Sequence, residues 1–456
     1  MPTFDNYKNK PVAVFGLGKA GQASIDLLLK SGAEVFAWDD NQKSIDELKG
    51  KYKNVKFAAP EEYDWKKINA LVLSPGIPFT FPKPHKIVSL AQKNKCPVIC
   101  DIELLYKAAK GAKFVGITGT NGKSTTTALI GHVLKFAGKK VEVGGNIGVA
   151  ASKLPIMGKD GIYVIEVSSY QLDLLRETKF DIALLLNITP DHIDRHGDMD
   201  GYVAAKLKIF DRQTKSDIAV IAVDDEHTQY IAKQVSKSKV VRVSNISSSA
   251  DISIKAGKIT DGKKVLNIGI PERLPGEHNA QNIVAAYAAL SNLGLDDKTI
   301  KDGIHTFPGL SHRIEYVAII DGIKFINDSK ATNAFATEKA LLSFDNIYWI
   351  AGGLPKEGGI EALDSLFPKI KHAFLIGQAE QEFAKTLDGK VAYTRCGSLE
   401  KAIKAAYESA KKAKEKTPIV LLSPACASFD QFKNFEHRGE EFSRLVRQLK
   451  GSKSAA

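Results

Sequence analysis

The chain has 456 residues, of which 44% are hydrophobic and 25% charged, and a formal net charge of +12. That length exceeds one ordinary core and predicts two or three domains of ordinary globular composition. No apolar run approaches the roughly 20 residues of a membrane helix, and "MPTFDNYKNK" has no signal-peptide core. Four scattered cysteines make no disulfide framework, so reduced thiols and a cytoplasmic location are expected. The positive excess is mostly lysine on helix faces such as "ESAKKAKEKT", and no arginine precedes Arg176. A nucleic-acid reader is therefore not expected, although a basic surface suits small polyanionic substrates.

Residues 11 to about 101 alternate apolar strands ("PVAVFG", "AEVFAW", "ALVLSPG", "CPVICD") with helical segments, the pattern of a parallel sheet with crossover helices. The first strand runs into "GLGKAG", whose Gly16, Gly18 and Gly21 match a dinucleotide fingerprint, and the acids Asp39 and Asp40 follow at the expected distance. Alone, this motif would suggest a nicotinamide-dependent oxidoreductase.

A helix from Leu104 to Gly111 leads into a second series of strands, "KFVGITG", "GIYVIEVSS", "FDIALLLNIT" and "SDIAVIAV". These are apolar nearly throughout, as strands covered on both faces should be. "TDGKK" predicts a hairpin turn in a small antiparallel patch. The first of these strands opens into "GITGTNGKSTTT", a phosphate loop: backbone N–H groups and a helix N-terminus face an anion. Lys123 would reach the outer phosphates and Ser124 would ligate Mg²⁺. The spacing departs from the standard loop, because Ile117 stands where the first glycine is usual. Glu166 ends a buried strand, where a carboxylate is costly unless paired or on a metal. The loop "NITPDHIDRHG" adds two histidines among carboxylates at the edge of the same sheet, which favours a metal-binding reading.

A helix from about His278 to Leu293 and the loop "TFPGLSHR" precede the third series. Two strands in "IEYVAIIDGIKFIND" turn at Asp321-Gly322, and "NIYWIAGG", "HAFLIG" and "PIVLLSP" follow. A charged amphipathic helix runs through Leu449, and the tail "GSKSAA" is expected to be disordered. The expected architecture is α/β with three domains. These are a Rossmann-like N-terminal domain (1–103), a central P-loop ATPase-like parallel-sheet domain (104–308) and a C-terminal Rossmann-like domain (309–456).

The stretches "GITGTNGKST", "EVSSYQL", "NITPDHIDRH", "GEHNAQNIVAA", "HRIE", "NDSKATN" and "LLSPACASFDQFKNFEHRGEEF" together resemble the Mur ligase family, and its D-glutamate-adding branch in particular. The resemblance spans nearly the whole chain. It implies an ATP-dependent amide ligase acting on UDP-N-acetylmuramoyl-L-alanine and D-glutamate through an acyl phosphate, in peptidoglycan precursor synthesis. Cell-wall biogenesis, cell shape and cell division would depend on that product. It also implies the use of ATP and two Mg²⁺ ions; a monomer is the default expectation, and the apolar runs predict no membrane insertion.

Residue by residue, the resemblance implies that Gly119, Thr120, Asn121, Gly122, Lys123, Ser124 and Thr125 hold ATP, with Asn279 and Asn282 at the adenine. Arg313 and Asp328 would contact the nucleotide, and Lys330 the transferred phosphate. Gly18, Lys19 and Ala20 would line the pyrophosphate of the UDP substrate, Asp39 and Asp40 its uridine, and Ser74, Pro75 and Gly76 the pocket edge. Asn146 would touch the muramoyl part. Thr332, Lys356, Ser428, Phe429 and Phe435 would hold D-glutamate. One metal would be served by Ser124 and Glu166, the other by His192 and a carbamylated Lys206. This chain has Asn41 where some relatives carry arginine, and Leu354 where some carry an acid. Another Mur-type or folylpolyglutamate-type ligase is the alternative. The oxidoreductase reading leaves the phosphate loop and "NDSKATN" unexplained.

Overall fold

The apolar runs pair into three sheets, and a computed structural model describes them for residues 5–451 except 270, 272, 275, 357, 414 and 415. Residues 452–456 of the terminal "GSKSAA" lie outside the described residues. The first sheet contains β1 (Pro11–Phe15), β2 (Glu34–Trp38), β3 (Val55–Lys56), β4 (Leu71–Leu73) and β5 (Val98–Ile99). It is wholly parallel in the order β3-β2-β1-β4-β5.

The second sheet contains β6 (Lys113–Thr118), β7 (Val141–Gly145), β8 (Ile162–Glu166), β9 (Ile182–Leu185), β10 (Ile218–Ala222), β11 (Lys239–Ser244), β12 (Ile252–Lys255), β13 (Lys258–Thr260) and β14 (Val265–Asn267). Its order is β14-β13-β12-β11-β10-β9-β6-β8-β7, antiparallel only across β12-β13-β14. β6 is therefore flanked by β8 and β9, and the three C-terminal ends lie side by side: Ile117 pairs with Glu166, and Thr118 with Leu185. This is the edge where parallel α/β sheets bind ligands.

The third sheet contains β15 (Glu315–Ile320), β16 (Ile323–Asn327), β17 (Ile347–Gly352), β18 (Ile370–Ile376), β19 (Tyr393–Gly397) and β20 (Ile419–Leu422). Its order is β15-β16-β20-β17-β18-β19, with only the β15–β16 hairpin antiparallel.

The chain divides into two compact units, residues 1–270 with 277–307, and residues 271–276 with 308–456. The first unit holds the first and second sheets. One apolar cluster joins them, running from Phe15, Leu71 and Leu73 to Phe114, Tyr163 and Phe180. The helix between these sheets spans Asp101–Ala108 and starts three residues earlier than expected, so the expected division at 103/104 falls inside it. Two buried acids fix this helix. Asp101 accepts from Ala151 N–H at 2.9 Å and from Gln171 Nε2 at 3.3 Å. Glu103 accepts from the N–H groups of Arg176, Glu177 and Thr178 and from the Thr178 hydroxyl. Among the described residues, no helix is long and apolar enough to cross a membrane.

Candidate active site

At the first sheet the glycine turn links β1 to the Lys19–Lys30 helix. Gly21 faces the turn so closely that a Cβ there would lie 1.9 Å from the Gly16 carbonyl oxygen. Gly18 caps the helix without a side chain, leaving the backbone N–H groups of its first turn facing outward to an anion. Asp39 accepts from Leu17 N–H at 2.6 Å and Asn41 N–H at 2.8 Å, so it braces the turn. Ser74 donates its hydroxyl to the Gly16 carbonyl at 2.7 Å, which ties the Ser74-Pro75-Gly76 loop after β4 to the glycine turn. Asn41 caps the Gln42–Lys51 helix by accepting from Lys43 N–H.

At the second sheet, β6 ends in Thr118 and the loop rises into the Lys123–Phe136 helix. Gly122 caps that helix at φ +82°, and a Cβ there would lie 2.1 Å from Asn282 Oδ1. The Glu277–Asn292 helix thus reaches directly behind the loop. Asn282 donates to Asn279 Oδ1 at 3.0 Å and accepts from Thr126 Oγ1 at 3.2 Å. Asn187, at the end of β9, secures the loop from the other side. Its Oδ1 accepts from Asn121 N–H at 2.7 Å, and its carbonyl accepts from Thr120 N–H. Lys123 folds across the loop and donates to the Gly119 and Thr120 carbonyls at 2.7 and 2.8 Å.

Glu166 is 2% exposed. One carboxylate oxygen accepts from Asn146 Nδ2 at 2.9 Å, and the other is buried without a hydrogen-bond partner among the described residues. Such an orphaned oxygen is expensive in an apolar surround and suits a cation. Ser124, likewise buried, stands in the first turn of the adjacent helix. The two fit one Mg²⁺ between a hydroxyl and a carboxylate.

In the histidine loop the two histidines turn to different neighbours. His192 sits at φ +53°, half exposed, with Nε2 3.5 Å from Asp191. His196 turns to the Ser169 hydroxyl at 2.9 Å and stacks on Tyr170. Among the described residues, no group of three His, Cys, Asp or Glu side chains converges as a ligand set. Lys206 is 1% exposed, donates to the Gly119 carbonyl at 2.9 Å and lies over the Tyr202 ring. Burial, reinforced by Lys123 and opposed by Asp191, holds its ammonium well below the usual lysine range.

The remaining candidates lie in the second unit: Arg313 just before β15, Phe435 at the start of the Phe435–Gly451 helix, and the others after the C-terminal ends of β16, β17 and β20. Asp328 follows β16, 4% exposed, and accepts from Ile314 N–H at 3.2 Å and the Ser423 hydroxyl at 2.7 Å. Burial outweighs these hydrogen bonds and the charge of Arg313, raising its pKa to about 7. Lys330 is exposed, with Nζ 5.9 Å from the centre of the Phe435 ring, and its carbonyl accepts from Thr332 N–H. Leu354 N–H pairs with the Ala427 carbonyl, so the loop carrying Lys356 runs beside the loop carrying Ser428. Lys356 and Phe429 are exposed, Ser428 is buried and Phe435 is half-buried.

Arg438 is a residue that sequence reasoning missed. Buried in the Phe435–Gly451 helix, it donates to the Ser329 hydroxyl and carbonyl and to the Cys426 and Ala427 carbonyls. It ties the "NDSKATN" loop to the "SPACASF" loop, and only a guanidinium has enough donors for that.

A glycine-rich loop that opens from a parallel sheet into a helix N-terminus, beside the buried Glu166, marks the first unit as the nucleotide-binding type of ATP-dependent enzymes. Residues 117–290 match the Mur ligase middle domain. The UDP-N-acetylmuramoylalanine–D-glutamate ligase of Paramagnetospirillum magneticum is 48% identical over 96% of both chains. The enzyme of that name from a Wolbachia of Brugia malayi is 46% identical over 98% of both. In fold, the chain is similar to the Thermotoga maritima UDP-N-acetylmuramate-alanine ligase, with a TM-score of 0.58, 17% identity and coverage of 97% of this chain and 99% of that one. It is also similar to a UDP-N-acetylmuramoyl-L-alanyl-D-glutamate–2,6-diaminopimelate ligase, with a TM-score of 0.59, 18% identity and coverage of 86% and 94%. The chain belongs to the Mur ligase family.

Proposed function

We propose that this enzyme joins the carboxylate of UDP-N-acetylmuramoyl-L-alanine to the amine of D-glutamate at the expense of ATP, a step of peptidoglycan synthesis. One observation carries the reading: a phosphate loop lies beside the orphaned Glu166 oxygen in a chain nearly half identical, end to end, to ligases named for that reaction. The first sheet (1–103) binds the UDP end, the second (104–308) ATP, and the third (309–456) the amino acid. The enzyme works in the cytoplasm, where both substrates would be reached without crossing a membrane.

A carboxylate resists nucleophiles, so it first takes the γ-phosphoryl group, giving an acyl phosphate and ADP. The D-glutamate amine then attacks the acyl carbon, and phosphate leaves with its bonding electron pair as the amide forms. Lys123 neutralises the phosphates once it leaves the Gly119 and Thr120 carbonyls. Asn279 and Asn282 shape the adenine side, and Arg313 and Asp328 orient the nucleotide. Lys330 meets the transferred phosphoryl group. Thr332, Lys356, Ser428, Phe429 and Phe435 hold the two carboxylates of D-glutamate through side-chain and backbone donors. Ser124 and Glu166 would hold one Mg²⁺, and His192 with Lys206 a second, whose charge would offset that of the polyanions. Lys206 serves there as a carbamate: its neutral amine adds CO₂ and loses a proton, becoming anionic.

Omitting each substrate in turn from a phosphate-release assay tests this. Release should require the UDP substrate, ATP and D-glutamate together, and release without the UDP substrate would overturn the reading.

A further inference from the structure

β2 is followed by two acids, and the structure employs them differently. Asp39 spends both oxygens on the Leu17 and Asn41 N–H groups, stapling the glycine turn to the end of β2. Asn41 is spent as a helix cap. Asp40 is left: its side chain is 54% exposed, and one oxygen lies 3.0 Å from His85 Nε2.

His85 arrives from the far side of β1. It caps the Lys86–Lys93 helix that follows β4, and its Nδ1 accepts from Ile87 N–H at 3.4 Å. A nitrogen that accepts carries no proton, so in the neutral ring the proton sits on Nε2, the nitrogen that faces Asp40. The ring is 19% exposed and lies 4.8 Å from that of Phe15, the last residue of β1. In the order β3-β2-β1-β4-β5, β1 separates β2 from β4. The pair therefore spans the crevice at which the strand order reverses, the place where open α/β sheets take their ligands.

We propose that His85 is a positioning residue of the nucleoside subsite, its Nε2–H holding Asp40 so that the free carboxylate oxygen accepts the ribose 2′-hydroxyl of the UDP-linked substrate. This rests on the reading that the first sheet binds the UDP end. In dinucleotide folds an acid after the second strand takes that hydroxyl. Here the first acid is committed to the turn, and the second is fixed by a histidine from the opposite wall. Fixing the carboxylate in advance spares the ordering cost that an exposed side chain would incur on binding. Asn41, at the position where some relatives carry arginine, needs no role in nucleoside contact.

The test is calorimetric titration of the full-length protein with UDP and with 2′-deoxy-UDP. The wild type should prefer UDP by about tenfold or more, the worth of one hydrogen bond to a charged group. Asp40→Asn and His85→Phe should bring the preference to within about twofold, with ATP affinity unchanged. His85→Asn separates the two jobs of the residue, because asparagine caps helices well but is too short to reach Asp40. It should still fold cooperatively, losing the ring contact with Phe15 but not the cap, and lose the preference. Retention of the wild-type preference in His85→Asn and His85→Phe overturns the proposal, as does a wild type that binds both nucleotides equally. A wild type that binds neither overturns the UDP reading itself.

Discussion

Lys206 and Lys123 donate to the same acceptor: their Nζ atoms lie 2.9 and 2.7 Å from the Gly119 carbonyl oxygen. Two ammonium groups converging on one carbonyl repel each other, and the buried one gives up its proton the more readily, because burial and Lys123 both favour its neutral form. A neutral, buried amine is the form that captures CO₂. Lys206→Ala should therefore lose more than about 99% of activity, with partial rescue by acetate, which resupplies an anionic oxygen. Lys206→Arg should not be rescued, because its bulk and charge remain. A ¹³C carbamate signal from ¹³CO₂-equilibrated enzyme, absent in Lys206→Ala, checks the modification directly.

Lys123→Ala should reduce phosphate release by about a hundredfold or more, because the phosphates lose their mobile cation. Binding of the UDP substrate should stay within about twofold, as one lost contact at the loop leaves the glycine turn untouched. Calorimetry with the UDP substrate and a phosphate assay on the same preparation read the two separately.

Asp328 should give the protein a pH-dependent weakness. Its folded-state pKa of about 7 lies above the ordinary 3.8, so between roughly pH 4 and 7 the folded protein keeps a proton that the unfolded chain releases. Stability from this group is full below pH 4 and is lost as the pH rises through 7. Asp328→Asn does not titrate, so the wild type should lose stability relative to it across that window, by at most about 4 kcal/mol. Denaturant midpoints at pH 5 and pH 8 measure the difference, and parallel slopes would contradict it.

Glu103→Gln should destabilise the first unit by about 2–4 kcal/mol, because an NH₂ group would then face backbone N–H donors that now meet a carboxylate oxygen. Thr178→Val removes one donor and should cost about 1 kcal/mol. Thermal unfolding followed by circular dichroism compares the two.

What the sequence made legible was local. β6, β8, β9 and β10 declare themselves because both faces are covered and nearly every residue is apolar. β7 ("VEVGG") and β19 ("YTRCG") escaped notice because each lies at a sheet edge and carries polar residues. The phosphate loop was readable because its ligands are contiguous. The brace at Asp39, the bridge from His85 to Asp40, the nest around Glu103 and the four-donor clamp at Arg438 join residues 22 to 109 positions apart, or lean on such neighbours. Their side chains are ordinary until the sheets bring the partners together. The histidine loop shows the same limit: its residues are close in sequence, yet His196 faces Ser169 and Tyr170 while His192 lies beside Asp191.

The most direct test of the central claim is mass spectrometry of the UDP-linked product after incubation with UDP-N-acetylmuramoyl-L-alanine, ATP and either D- or L-glutamate. The account predicts a mass increase of one glutamate residue, with one phosphate released per product, for the D enantiomer alone. Equal conversion with L-glutamate, or phosphate released with no gain in product mass, would contradict it.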